Sequence, residues 1–187
     1  MKYPIPTILI VTEGLTEQKY LNHLKKRDAG YIVQVVESPR KDAISVVNHC
    51  KKEISNRGLS LKRDDEAYCV FDVDYNTEQN LMKAINNAHR NKMKVILSNP
   101  CFEVFFLYHY MDSVPSFSTP DEAVDLLKKF IPDYSKEKDY WHQLHDRQEG
   151  ALKRVSRNLE DVELRLGAPS RTNIGLLFDE ISRRDDS

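Results

Sequence analysis

Acidic residues follow three separate apolar runs in this chain. Glu13 and Glu17 lie in Val11-Thr12-Glu13-Gly14-Leu15-Thr16-Glu17, Asp72 and Asp74 in Phe71-Asp72-Val73-Asp74, and Glu103 closes Ser98-Asn99-Pro100-Cys101-Phe102-Glu103. Carboxylates crowded within several ångströms repel, and each raises its neighbours' pKa unless a cation neutralises the group. Oxygen ligands of this kind suit Mg²⁺ or Mn²⁺, which keep several waters and complete their shell with substrate phosphate. With two such ions, one generates the nucleophile and the other stabilises the leaving oxygen of an in-line phosphoryl displacement. Taken singly, each acid has a plainer explanation. An Asp-x-Asp pair after a strand commonly serves a turn or a cap, and Glu103 in a first helical turn interacts favourably with the helix N-terminus. The metal reading rests on convergence, and convergence depends on the elements that carry these residues.

The segments Thr7 to Val11, Tyr31 to Val36, Ala67 to Phe71 and Val95 to Leu97 are short, apolar and rich in β-formers, and they read as buried strands. Helical periods alternate with them. Leu15 and Tyr20 flank Thr16 at the spacing of a hydrophobic staple around an N-cap, and Leu21 and Leu24 carry the apolar face to about Arg27. Ser38-Pro39 reads as N-cap and first turn of a helix whose face is Ile44, Val47, Cys50 and Ile54. Leu81, Ala84, Ile85 and Ala88 mark a third. This alternation predicts an α/β fold with a Rossmann-like parallel sheet of about four strands, right-handed crossovers and helices on both faces.

In a parallel sheet all strand carboxyl ends share one edge, where such folds bind ligands. Glu13, Asp72, Asp74 and, through Asn99, Glu103 are therefore brought together. Glu17, in the first turn of the helix leaving that edge, points back into the same place, and Gly14 lets the backbone turn sharply. Ser98-Asn99-Pro100 is expected to cap a buried helix from Cys101 to Tyr110. The remainder reads as helical. Thr119-Pro120-Asp121-Glu122 is a capping box opening a helix to Phe130. Ala151, Leu152, Val155, Leu159 and Val162 mark another, and Ile174, Leu177, Phe178 and Ile181 a last. Asp133 to Arg147, with Tyr134, Tyr140 and Trp141 among charges, reads as a long loop or lid. The division expected is a catalytic core over residues 1–112 and a helical C-terminal extension over 113–187 packed on it.

Other candidates are weaker. His109 shares a face with Phe102 and Phe105, away from Glu103, and reads as a satisfied core histidine. His142 and His145 lack a third ligand nearby, and Lys153, Arg154 and Arg157 form a solvated basic stripe whose functional alternative is phosphate contact. Cys50, Cys69 and Cys101 stand without metal-ligand spacing among apolar neighbours, as buried thiols of a reducing cytosol do. A formal charge of −1 provides no overall field for a polyanion, so nucleic acid must be met by a local patch or bound metal. Met1 to Pro6 lacks the features of a signal peptide, and no apolar run approaches the ~20 residues of a membrane span. A cytoplasmic protein is expected.

The three acidic stretches, followed by His109, resemble the signatures of the RloB-like proteins, a TOPRIM-related family found near bacterial restriction and phage-defence genes. The likeness spans roughly Ile8 to Ile181, with Phe105 where tryptophan is expected. It implies a TOPRIM fold in which Glu13 is a metal ligand or general acid/base, Asp72 and Asp74 bind metal, and Glu17 serves a second metal, with Glu103 similar in placement to a further acid. It also implies an ATPase partner encoded nearby, since the chain has no phosphate-binding glycine-rich loop of its own. The expectation is a Mg²⁺- or Mn²⁺-dependent endonuclease or nickase acting on DNA or RNA, with Glu13, Asp72 and Asp74 catalytic. The alternatives are a non-cleaving module that binds nucleic acid or a nucleotide within a defence complex, and a receiver-like phosphoacceptor, which would leave Glu13 and Glu17 without a role.

Overall fold

The computed structural model describes residues 5–27 and 29–186, so part of the N-terminal segment read for a leader, residues 1–4, lies outside it. The fold is α/β. Four strands, β1 (Thr7–Thr12), β2 (Ile32–Glu37), β3 (Glu66–Asp72) and β4 (Lys94–Asn99), pair in parallel, and β5 (Arg171–Thr172) adds to β4 antiparallel. The order across the sheet is β2-β1-β3-β4-β5. Helices α1 (Leu15–Asn22), α2 (Ala43–Arg57) and α3 (Glu78–Arg90) are crossovers, followed by α4 (Glu103–Leu107), α5 (Pro120–Leu127), α6 (Trp141–Leu144), α7 (Gln148–Arg154) and α8 (Gly175–Asp185).

Because side chains alternate across a strand, β1 serves two cores. Ile8 and Ile10 pack with Tyr20 and Leu21 of α1, the aromatics of α4, and Leu177 and Phe178 of α8. Leu9 and Val11 pack on the other face with Val46, Val47 and Cys50 of α2 and Leu81, Ala84 and Ala88 of α3. Residues after Asp112 supply α5 to α8, share the first of these clusters and contribute β5. No helix among the described residues is long and apolar enough to cross a membrane.

Several helix starts differ from the sequence reading. Thr16 is not an N-cap: α1 begins one residue before it, capped by Gly14, and the Thr16 hydroxyl donates to the Lys136 carbonyl at 3.4 Å. The helix also ends at Asn22, short of Arg27. Ser38 turns locally, its hydroxyl contacting the Arg40 backbone, and Asp42 caps α2 by accepting from the Ser45 N–H at 2.8 Å. Asn99 does not cap α4. The Asn99–Pro100 peptide is cis, the Asn99 amide donates to the carbonyls of Glu163 and Arg165, and α4 spans only Glu103–Leu107 of the expected Cys101 to Tyr110. Helix α5 stops at Leu127 rather than Phe130. The helix expected through Val162 ends at Arg154, because Val155 is extended and the Ser156 N–H is taken by the Thr172 carbonyl at 3.1 Å. The expected lid contains α6 and a 3₁₀ turn, His145–Arg147.

Candidate active site

The strand order decides where the site lies. The chain leaving β1 crosses to β2 on one side and the chain leaving β3 crosses to β4 on the other, so a crevice opens between the adjacent carboxyl ends of β1 and β3. Glu13 follows β1 and Asp72 ends β3. The Glu13 N–H donates to the Val70 carbonyl at 2.9 Å, and the Asp72 N–H returns a 2.9 Å bond to Glu13 Oε2. Asn76 fixes the turn beyond: its amide donates to the carbonyls of Asp72 and Asp74, and its oxygen accepts from the Ala43 N–H of α2. Gly14 has a φ of −138°, open to any residue, and what its lack of a side chain spares is a tight contact, since an added Cβ would stand 3.1 Å from Glu17 Oε2 and Glu17 would have to give by a few tenths of an ångström.

Glu13, Glu17, Asp72, Asp74 and Glu103 all line one cavity of about 420 Å³, together with Lys41, Tyr75 and Lys136. All five acids are buried. Burial pushes the Glu13 carboxyl up to about 7, with the charges of Asp74 and Asp42 adding to the rise. Glu17 is pushed to about 8 by burial and by Glu103 and Glu13. Asp74 reaches about 6, chiefly through burial, and Asp72 is raised well above the usual carboxylate range by burial and by Glu17, Glu13 and Asp74. Asp72 Oδ1 is buried without a hydrogen-bond partner.

Glu103 sits at the N-terminus of α4 with partners the sequence did not disclose. Tyr134 donates its hydroxyl to Glu103 Oε1 at 2.8 Å, and the Lys136 ammonium stands 3.7 Å from the same oxygen. Burial works against the charge on Lys136, but Glu103, Asp72 and Asp74 raise its pKa. The segment carrying both residues is strapped to α1: Thr16 bonds Lys136, Lys19 bonds the Glu137 carbonyl, and His23 lies 2.6 Å from Asp139. Among the described residues no three of His, Cys, Asp or Glu already form the shell of one ion. The donor set nonetheless fits a hard divalent cation, being all oxygen and crowded, with Glu13, Glu17, Asp72 and Asp74 raised in pKa and one buried carboxylate oxygen unpaired.

A family model described as RloB-like protein matches residues 8–181. The chain belongs to the RloB-like family. Searches of curated proteins and of solved structures return no match.

Away from the acids, the other candidates of this RloB-like chain have structural partners. His109 Nδ1 donates to the Phe105 carbonyl at 2.9 Å, leaving Nε2 to accept from the Tyr20 hydroxyl at 3.2 Å, and burial lowers its pKa to about 4. Trp141 stacks with His23 and His145. Lys153 pairs with Glu149, Arg154 with Asp112 and Arg157 with Asp179. Cys50, Cys69 and Cys101 are free and buried.

Proposed function

We propose that this RloB-like protein is a Mg²⁺- or Mn²⁺-dependent nuclease of the TOPRIM class, cutting a phosphodiester of DNA or RNA. The observation that carries the reading is the meeting of Glu13 with Asp72 and Asp74 at the crevice between β1 and β3, where Asp72 Oδ1 is buried and unpaired. Glu13, Asp72 and Asp74 would hold the first ion, and Glu17 and Glu103 a second. The bound ions supply Lewis-acid activation of water and neutralise charge on the leaving oxygen. Glu13 is positioned by the Asp72 N–H, which fixes one carboxylate oxygen and leaves the other for a ligand or a proton. Asn76 keeps the Asp72 to Asp74 turn in register with α2. A cytoplasmic setting, a role in phage defence or restriction and an ATPase partner encoded nearby complete the proposal.

A second reading is favoured by Lys136, which already places a cation 3.7 Å from Glu103. In it the chain binds nucleic acid or a nucleotide without cutting and acts as a regulatory module. Incubation of purified protein with plasmid DNA and structured RNA, in Mn²⁺ and in chelator, separates the two. Cleavage that requires metal and disappears in Asp72→Asn supports the nuclease. Residual cutting by a clean Asp72→Asn preparation refutes the assignment, and binding without cutting, alone or with the ATPase, leaves the regulatory module.

A further inference from the structure

Two residues in the wall of the acidic cavity have no part in holding a cation. Tyr75 follows Asp74 directly, and its side chain is left in water, 86 % exposed. Its backbone lies at φ 59°, in the left-handed region that a bulky L-residue rarely enters. Glycine or asparagine would make this turn more easily. An aromatic ring held in solvent by an unfavourable backbone contributes little to folding, and strain of this kind gathers at ligand sites.

The ring is presented by a fixed support. The Asn76 amide grips the carbonyls on both sides of Val73, and the Asn76 oxygen ties the turn to the start of α2. Just before that start comes exposed Lys41, on the turn that Ser38 and Asp42 hold, with its charge reaching Glu13. The cavity thus joins acidic side chains that repel a phosphodiester to an exposed aromatic ring and a lysine that line the same cavity.

We propose that Tyr75 and Lys41 form the substrate grip of this site: the ring stacks on an unpaired nucleobase and the ammonium pairs with a backbone phosphate. The chain therefore takes single-stranded or locally unpaired nucleic acid in preference to continuous duplex, whose base faces are covered by their neighbours. This deepens the nuclease reading and rests on it for the placing of the scissile phosphate near the acids.

Fluorescence anisotropy with a short labelled single strand, and with the duplex of the same sequence, tests the grip on the full chain with Ca²⁺ replacing Mg²⁺. The single strand should bind more tightly. Tyr75→Ala should weaken binding by roughly 5- to 150-fold, the range for loss of one stacked base, while Tyr75→Phe retains it. Tyr75→Gly, which suits the left-handed backbone, should melt at or above wild type and yet bind as poorly as Tyr75→Ala. Lys41→Gln should reduce the salt slope of binding by about 0.7 for a single strand. 2-Aminopurine in the strand should be quenched by wild type and Tyr75→Phe, and not by Tyr75→Ala or Tyr75→Gly.

If Tyr75→Ala and Tyr75→Gly bind and quench like wild type, or if duplex binds as tightly as single strand, the grip is overturned. Mn²⁺ cleavage measured on the same preparations keeps the two ideas apart. Cutting that needs Asp72 together with binding indifferent to Tyr75 removes the grip and leaves the nuclease. Binding that depends on Tyr75 without cutting, alone or with the ATPase, supports the grip and removes the nuclease.

Discussion

In chelator the protein should lose stability as the pH rises from about 4.5 to about 8, opposite to the trend that salt-bridged carboxylates give. A carboxyl raised by burial keeps its proton in the fold at a pH where the unfolded chain has released it. Its contribution is complete below the ordinary value of 4.5, and it is lost as the pH climbs through about 7 for Glu13 and about 8 for Glu17. For Glu13 alone the interval from 4.5 to about 7 corresponds to ~3 kcal/mol, or a melting midpoint lower by ~6–12 °C in a chain of this size. His109 acts on the other flank. Burial holds it near 4 against an ordinary 6.5, so its contribution is complete above 6.5 and lost as the pH falls through 4. From pH 4.5 to 6.5 the two acids together lose more than this single histidine gains, so the metal-free midpoint should already fall across that interval and be highest near or below about pH 4.5.

Mg²⁺ binds the ionised acids, and at one hundred times Kd it adds ~2.7 kcal/mol, enough to flatten the alkaline limb. Differential scanning calorimetry in chelator, in Mg²⁺ and in NaCl of matched ionic strength reads all three effects. A metal-free midpoint that stays level or rises over this range would refute the claim that burial holds these acids protonated. Equal shifts with Mg²⁺ and NaCl would show that they are structural and hold no ion.

Three further outcomes follow from named contacts. Asp72→Asn puts a permanently neutral amide where burial holds the carboxyl well above the usual range, so without metal it should melt at or above wild type, while its calorimetric titration with Mn²⁺ should be much flatter; strong destabilisation in chelator would count against the site. Asn76→Ala should destabilise the fold by ~1–3 kcal/mol and weaken metal binding by roughly 10- to 100-fold, read by urea melts and titration calorimetry, because it releases the Asp72 and Asp74 carbonyls and the Ala43 N–H together. Asn173→Ala should cost ~2–4 kcal/mol in urea unfolding with no change in metal affinity, since its buried amide serves the β4 backbone at both Val95 and Leu97.

What the amino-acid order disclosed about this molecule, and what it hid, follow from the range of the forces involved. Strands β1 and β3 were legible because Ile8 to Val11 and Ala67 to Phe71 are buried on both faces, which writes a continuous apolar run into the chain. The acids were legible because they end such runs, and parallel topology brings strand ends together whatever their separation in sequence. Helix starts were less so. Ser38 and Asp42 both offer a capping oxygen within five residues, and Asp42 prevails because its carboxylate meets the Ser45 N–H while Ser38 is drawn into its own turn. Strand β5 could not be read at all: Arg171 and Thr172 have no period, and their pairing with β4 is continued by the Asn173 side chain, its oxygen accepting from the Leu97 N–H at 2.7 Å and its amide donating to the Val95 carbonyl at 2.9 Å. Tyr134 and Lys136 were hidden for the same reason. Their segment is unpatterned, and their partner Glu103 is set by α4, so only the folded chain brings the hydroxyl within 2.8 Å and the ammonium within 3.7 Å of one oxygen. The bare acidic floor is thus a sequence feature, whereas its electrostatic balance is a tertiary one. Removing Lys136 would leave the five carboxylates intact and still change how strongly they attract a cation.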